Sequence, residues 1–309
     1  MASEQEEIAR FPSVLHPRDL AEAWTFKRLF DTEAIYVAGG TLLRTQWESG
    51  VATMPRQVID LSSIPGLTGI AADEDAIAIG ALTTLGECRN DPLLIEHYPM
   101  LVEAFKSIAA HSIRNSATIG GNIASRVGDC LPALIACRAE FEWCTGLSQL
   151  RESASEWVER LHVQSPKPSN LLTRIFLPFM NQNRTAPVKF GAYHKVGRRE
   201  AFTPSVVTVA MSGSLKPDGA IKEVVIAAGG GQTIPQRMHA AEKALKGRLP
   251  DRELLIEVHG HVEKQFVPKT DPLVSDAYRR KTAANLVAAA LWREFVREEG
   301  EGYGAKQID

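Results

Sequence analysis

The chain has 309 residues, 44% of them hydrophobic and 23% charged, with a formal net charge of −2. That composition is typical of a globular protein with room for two or three compact units. The near-neutral balance argues against a nucleic-acid partner, because no basic surplus exists to displace counterions, and no run approaches the ~18 apolar residues of a membrane span.

The first stretch, Met1-Ala2-Ser3-Glu4-Gln5-Glu6-Glu7, is acidic and polar, so it does not read as a signal peptide, and the expected location is cytoplasmic. Leu15 to Phe30 carries Ala23, Phe26 and Phe30 at helical spacing after a Pro17 start signal. Ala34 to Val37 predicts a short buried strand. It runs into Ala38-Gly39-Gly40-Thr41, after which Leu42 to Ser49 predicts a helix closed by Gly50. Gln57 to Leu61 supplies another strand, so residues 1–61 read as a small α/β unit.

Beyond Pro65-Gly66 the pattern changes. Ala76 to Gly80 alternates as a strand, Thr84-Leu85-Gly86-Glu87 is a capping box, and Pro99 to Ala110 predicts a helix. That helix delivers the chain to a second glycine loop, Ile113 to Asn122. Asp129 follows, then a helical Pro132 to Arg138 and a strand at Phe141 to Trp143. Ser153-Ala154-Ser155-Glu156 is another capping box, and Leu171 to Leu177 is an apolar strand stopped by Pro178. Residues 62–180 therefore read as an α+β unit around an antiparallel sheet.

The polar break Asn181-Gln182-Asn183-Arg184 marks the expected domain boundary. Strands are expected at Val188–Val196, Ser205–Leu215 and Ala220–Ala227, the last two joined by a Pro217-Asp218-Gly219 turn. Gly229-Gly230-Gly231-Gln232 reads as a strand-to-helix turn. Helices are expected at Pro235–Lys246, Asp251–Phe266 and Pro272–Glu298, the last with an apolar stripe of Ala283, Val287, Leu291 and Phe295. The final Gly300 to Gly304 reads as a loose tail.

Two stretches stand out for chemistry. Val37-Ala38-Gly39-Gly40-Thr41 and Thr118-Ile119-Gly120-Gly121-Asn122 each set paired glycines beside a threonine. Glycine lets another molecule approach the main chain closely, and N–H groups exposed in such loops form an anion-binding concavity. Two such loops suggest a ligand with two linked phosphates, although each alone is equally a plain turn. Familiar alternatives fail: there is no G-x-G-x-x-G, no G-x-x-x-x-G-K-[ST] and no G-x-S-x-G. The four cysteines, Cys88, Cys130, Cys137 and Cys144, lack the spacing of a zinc site or an iron–sulfur cluster. The chain reads as a cofactor holder rather than a self-contained catalyst.

From Phe11 to Glu298 the sequence resembles the FAD-binding medium subunits of molybdenum-containing hydroxylases, the xanthine dehydrogenase, carbon monoxide dehydrogenase and nicotinate dehydrogenase group. The resemblance is carried by Ala38-Gly39-Gly40-Thr41, Ile59-Asp60-Leu61 with Ile64-Pro65, Ile79 to Thr84, and Ile113 to Asn122. It continues through Gly128-Asp129 with Leu131-Pro132-Ala133-Leu134, then Tyr193 to Arg199 and Tyr278-Arg279-Arg280. It implies an α+β protein: a two-subdomain FAD-binding domain over residues 1–180 (subdomains 1–61 and 62–180), then a C-terminal antiparallel sheet with helices over 181–309. It implies FAD with its pyrophosphate on the two glycine loops. Val37, Ala38, Gly39, Gly40, Thr41 and Leu42 would form one side, and Thr118, Ile119, Gly120, Gly121 and Asn122 the other. Asp129 would meet the adenosine end, Leu172 would pack near the flavin and Lys195 would supply a cationic donor beside it. Each of these three also has a plain structural reading, as helix cap, core residue and solvated strand residue. Arg114 either assists a phosphate or pairs internally to hold its loop, and the internal role is preferred.

Two departures from the family pattern stand out: Leu42 replaces the usual acidic or small polar residue, and residues 123–128 form a loop about two residues shorter than usual. The implied role is an electron-transfer oxidoreductase subunit, with molybdopterin on a large partner subunit, 2Fe-2S clusters on a small one, and NAD or another terminal acceptor. A free-standing flavoenzyme and a FAD-less scaffold subunit are the alternatives.

Overall fold

The computed structural model describes residues 12–146, 148–164, 169–179, 189–197, 204–272 and 274–295. The expected boundary at Asn181–Arg184 and the expected tail at Gly300–Gly304 lie outside them.

The first unit contains β1 (Ser13–Leu15), α1 (Leu20–Phe30), β2 (Ala34–Val37), α2 (Thr41–Glu48) and β3 (Gln57–Asp60). Its three strands are parallel, in the order β1-β3-β2. Helix α1 does not begin at Leu15 as expected. Ser13–Leu15 pairs with β3, and Asp19 sets the helix start by accepting from the Glu22 N–H at 2.8 Å. Its end is held by the buried Lys27, whose ammonium donates to the Asp31 and Ala34 carbonyls. Ala23, Ala34, Ile59, Leu61, Ile64 and Leu67 form its small core together with Leu82, Cys144 and Leu171 of the following unit.

The second unit runs through β4 (Ile70–Ala72), β5 (Ala76–Gly80), α3 (Leu85–Asn90), α4 (Pro92–His97), α5 (Pro99–Ser107), α6 (His111–Arg114), α7 (Ile119–Ala124), α8 (Leu131–Ala136), β6 (Glu140–Cys144), β7 (Gln149–Ser153), α9 (Ala154–Leu161) and β8 (Leu171–Pro178). Its five strands are all antiparallel, in the order β4-β5-β8-β6-β7. Both expected capping boxes are present, at Thr84/Glu87 and Ser153/Glu156. Strand β7 escapes the sequence pattern because it is a polar edge strand, with Gln149, Leu150 and Arg151 exposed. Helix α5 stops at Ser107, short of the expected Ala110, because Ile108 turns extended and Ala109 takes a positive φ of 47°.

The third unit contains β9 (Lys189–Gly197), β10 (Ser205–Leu215), β11 (Ile221–Gly230), β12 (Thr233–Arg237), α10 (His239–Leu245), α11 (Arg252–Gln265) and α12 (Asp276–Phe295). The antiparallel order is β12-β11-β10-β9. The glycine tract 229–232 is a strand-to-strand turn, not the expected strand-to-helix turn, and Pro235 lies in β12 rather than opening a helix. Gly230 and Gly231 have φ of +114° and +62°, and a Cβ on Gly230 would lie 2.7 Å from Val207 Cα. Glycine is thus what lets the chain reverse against β10.

Helices α10, α11 and α12 cover one face of this sheet, closing a core around Val209, Ile226, Val258, Phe266 and Val287. On the other face, Ala210, Val225 and Ala227 belong to the core of the second unit. Helix α8, buried along its whole length, lies between them, and the Ser212 hydroxyl donates to the Ala136 carbonyl at 2.6 Å. The C-terminal sheet is therefore seated directly on the α8 segment that follows the second glycine loop.

Candidate functional site

The two glycine loops meet. A Cβ on Gly39 would lie 1.7 Å from the Ser116 carbonyl oxygen and 2.6 Å from its carbon, so the first loop rests on the backbone just ahead of Thr118. No residue but glycine permits that approach. Gly40, at φ +64°, is the N-cap of α2 and brings no side-chain cap. Within that first turn the Arg44 N–H is taken by the Gly40 carbonyl at 2.8 Å. Helix α2 buries none of its residues, and Leu42 is 47% exposed on its first turn. An uncapped first turn beside a positive-φ glycine suits an anion.

The second loop differs from the sequence expectation. Its N–H groups do not stand open. Ile119 donates to the Thr83 carbonyl at 3.0 Å and Gly120 to Ala81 at 2.8 Å, while Gly121 donates to Thr118 Oγ1 and Asn122 to the Thr118 carbonyl, each at 3.0 Å. Thr118 is thus the N-cap of α7. Gly120 is pinned against the sheet, since a Cβ there would lie 2.5 Å from the Ala81 carbonyl oxygen. Gly121 is the open member: it is exposed, and outside its own helix backbone a Cβ there would meet only Thr118 Oγ1, at 3.0 Å, among the described residues. What this loop can offer a ligand is close approach at Gly121 and the half-buried carboxamide of Asn122.

Arg114 is buried at 8% exposure, and its role is internal. Its Nη1 donates to the carbonyls of Ala109 at 2.5 Å, Ile108 at 2.8 Å and Lys106 at 3.3 Å. These carbonyls close the C-terminal end of α5, where the helix dipole favours a cation. Burial, then the nearby charge of Arg89, shifts its pKa down. The same helix end takes a second cation: Lys195 Nζ donates to the Ser107 carbonyl at 2.8 Å.

Asp129 and Lys195, 66 positions apart, are ion-paired at 2.8 Å with side chains 15% and 12% exposed. Asp129 Oδ1 accepts from the Ser205 hydroxyl at 2.5 Å, and the Ser205 oxygen in turn accepts from the Gly231 N–H at 3.0 Å. The Tyr193 hydroxyl donates to the Asp129 carbonyl at 3.1 Å and lies 3.3 Å from the Ser107 hydroxyl. Burial, then the Asp129 charge, pushes the Tyr193 phenol well above its ordinary pKa. This network ties the second unit to β9 and β10. The sequence reading gave no site role to Ser116, Tyr193 or Ser205: the first two lie in stretches that carry the resemblance and Ser205 in an expected strand, and their roles become visible only through the tertiary contacts. Leu172 lies in the second unit's core, on β8 opposite Trp143, on a strand packed against α7.

All four cysteines are buried free thiols, and among the described residues no group of three or more His, Cys, Asp or Glu is placed to hold a metal ion. The groups on and beside the two loops suit an elongated anionic cofactor: an uncapped helix end and an open glycine, with an amide and an Asp–Lys pair on the second-loop side.

Comparison with known proteins agrees. The FAD-binding domain in molybdopterin dehydrogenase matches residues 7–180, and the CO dehydrogenase flavoprotein C-terminal domain matches residues 191–293. The carbon monoxide dehydrogenase medium chain of Hydrogenophaga pseudoflava is 35% identical over 127 residues, which span 40% of this chain and 44% of that protein. The nicotine 6-hydroxylase medium subunit of Paenarthrobacter nicotinovorans is 28% identical over 220 residues, 70% of this chain and 74% of that protein. Reconstituted CO dehydrogenase from Oligotropha carboxidovorans contains a chain of the same fold, with a TM-score of 0.83 at 24% identity, covering 92% of this chain and 97% of that one. With more than half of its length matched by the first of these domains, the chain belongs to the family of FAD-binding domains of molybdopterin dehydrogenases.

Proposed function

We propose that this chain is the FAD-carrying electron-transfer subunit of a molybdenum-containing hydroxylase of the xanthine dehydrogenase or carbon monoxide dehydrogenase kind. Its partners would be a large molybdopterin subunit, where substrate is hydroxylated, and a small subunit carrying 2Fe-2S clusters. Electrons would leave through NAD or another acceptor, and the assembly would work in the cytoplasm. The substrate is set on the large partner.

The observation that carries this reading is the contact of Gly39 with the Ser116 carbonyl, which brings two glycine loops nearly 80 residues apart to one place. Gly40, Thr41 and Leu42 would direct the uncapped N–H groups of α2 at the pyrophosphate, with Val37 and Ala38 as the strand end that holds them in place. Thr118, Ile119 and Gly120 would hold the facing loop rigid, and Gly121 would let the cofactor lie against the backbone. Asn122, Asp129 and Lys195 would supply polar contacts along its length, and Leu172 would stiffen the strand behind α7. Bound FAD supplies the exchange between one-electron donors and a two-electron acceptor, while the protein supplies binding, orientation and electrostatics. The domain division supporting this is a cofactor-binding domain over residues 1–180 and a C-terminal domain over 181–309.

The test is an absorption spectrum of the purified chain, with acid release and identification of the flavin. A yellow protein releasing FAD near one to one supports the reading. Gly121→Trp then removes binding without unfolding the protein, because Gly121 faces outward. A colourless chain that takes up no added FAD, alone or with its partner subunits, overturns it and favours the scaffold role.

A further inference from the structure

The half-buried Asn122 carboxamide is held from one side only. Its Oδ1 accepts two hydrogen bonds from a single residue, the Cys130 thiol at 2.8 Å and the Cys130 backbone N–H at 3.3 Å. A backbone N–H can only donate, so the inward atom must be the oxygen and the other arm must be the NH2 group. Nδ2 has no hydrogen-bond acceptor among the described residues, and it belongs to the residue next to the exposed Gly121.

The carboxamide is also confined sterically. A Cβ on Gly128 would lie 2.0 Å from Asn122 Oδ1 and 2.5 Å from its Cγ, so the side chain lies folded over a glycine that leaves it just enough room. Cys130 is fully buried, and burial raises its thiol pKa well above the ordinary value, which keeps it a neutral donor. A thiolate there would repel the oxygen it now holds.

We infer that Cys130 is a positioning residue for the cofactor site, fixing the Asn122 carboxamide so that its Nδ2 group is presented as a hydrogen-bond donor to an acceptor oxygen of the bound cofactor. The inference rests on the FAD reading above and adds to it the orientation of one ligand and the residue that sets it. Gly128, Asp129 and Cys130 then act in sequence: the first makes room for the carboxamide, the second pairs with Lys195, and the third turns the carboxamide outward.

The test is a double-mutant cycle read by FAD titration of the flavin-free full chain, following flavin fluorescence. Cys130→Ala removes the thiol donor and weakens FAD binding about 3- to 10-fold, the value of one neutral hydrogen bond. Cys130→Ser restores a donor and returns affinity to within about twofold of the wild type. In an Asn122→Ala background, Cys130→Ala has no further effect, because the group it orients is gone. A loss of the same size in both backgrounds overturns the inference, as does an unchanged affinity for Cys130→Ala. If Cys130→Ala does not fold, Cys130→Val, which fills the same space without a donor, is put through the same cycle and decides on the same criteria. A wild-type chain that takes up no FAD is a separate outcome: it removes the FAD reading, and the inference with it.

Discussion

Arg114→Met distinguishes a loop clamp from a phosphate ligand. The substitution keeps an apolar stem in a site 8% exposed but removes the guanidinium that binds the carbonyls of Ala109, Ile108 and Lys106. Bonds from a charged donor contribute about 1.5 kcal/mol each at the lower end of their range. The two short ones therefore amount to about 3 kcal/mol, and the third, at 3.3 Å, adds little. They also hold Ala109 at φ 47°, a conformation that costs a residue with a Cβ roughly 1 kcal/mol. At roughly 2 °C per kcal/mol, the flavin-free chain should melt about 6 °C lower. Hydrogen exchange should quicken in residues 106–117, the turn that carries the chain into the second glycine loop. The assay is a thermal melt of the flavin-free chain beside an FAD titration. An unchanged melting temperature with a large loss of FAD affinity would refute the reasoning, because the guanidinium would then act on the ligand and not on the carbonyls.

Three further outcomes follow from the geometry. Gly39→Ala must part the loops, since its Cβ would overlap the Ser116 carbonyl at 1.7 Å, and FAD affinity should fall by about tenfold or more. Gly50→Ala, at φ +69° with nothing within 4 Å of its Cβ, should cost only about 1 kcal/mol of stability and leave FAD affinity unchanged, and equal effects of the two on affinity would contradict the loop contact. Lys195→Met strands the Asp129 carboxylate with a serine hydroxyl, which at this partial exposure should destabilise the chain by about 2 kcal/mol in urea unfolding. Adding Asp129→Leu should recover part of that loss, and simple additivity of the two costs would count against the pair. Cys88, Cys130 and Cys137 are buried thiols with raised pKa values, Cys137 up to about 12 from 9.0. Their folded pKa lies above the unfolded one, so their contribution is fully present below pH 9 and is lost as pH rises from there towards 12. Melting temperatures should fall across that window, and a thiol reagent at pH 8 should label these residues only as the chain unfolds. Fast labelling of the folded protein would be the contrary result.

Much of the fold could be read from local sequence. Alternating residues mark β5, a long apolar run marks β10, and the Thr84/Glu87 and Ser153/Glu156 boxes mark helix starts, because pattern and capping act within a few residues. The misreadings occur where local preference yields to packing. Gly229 to Gln232 has the composition of a strand-to-helix turn, but pairing of Ala228 with Gln236 makes it a hairpin. Ser13–Leu15 has too few residues to announce a strand and becomes one only beside β3.

The site divides along the same line. By itself the sequence showed that two glycine loops exist and can admit close backbone approach, which belongs to residue type, and its resemblance to a family drew attention to Asn122, Asp129 and Lys195. Only the tertiary structure decided that Gly39 rests on Ser116, that the second loop's N–H groups are taken by Ala81, Thr83 and Thr118, and that Asp129 and Lys195 pair with one another. The reason is that a hydrogen-bond donor or a charge acts over a few ångströms. Which partner lies within that range, often across dozens of residues, is settled by tertiary packing, above all by how the second unit and the C-terminal sheet close around α8.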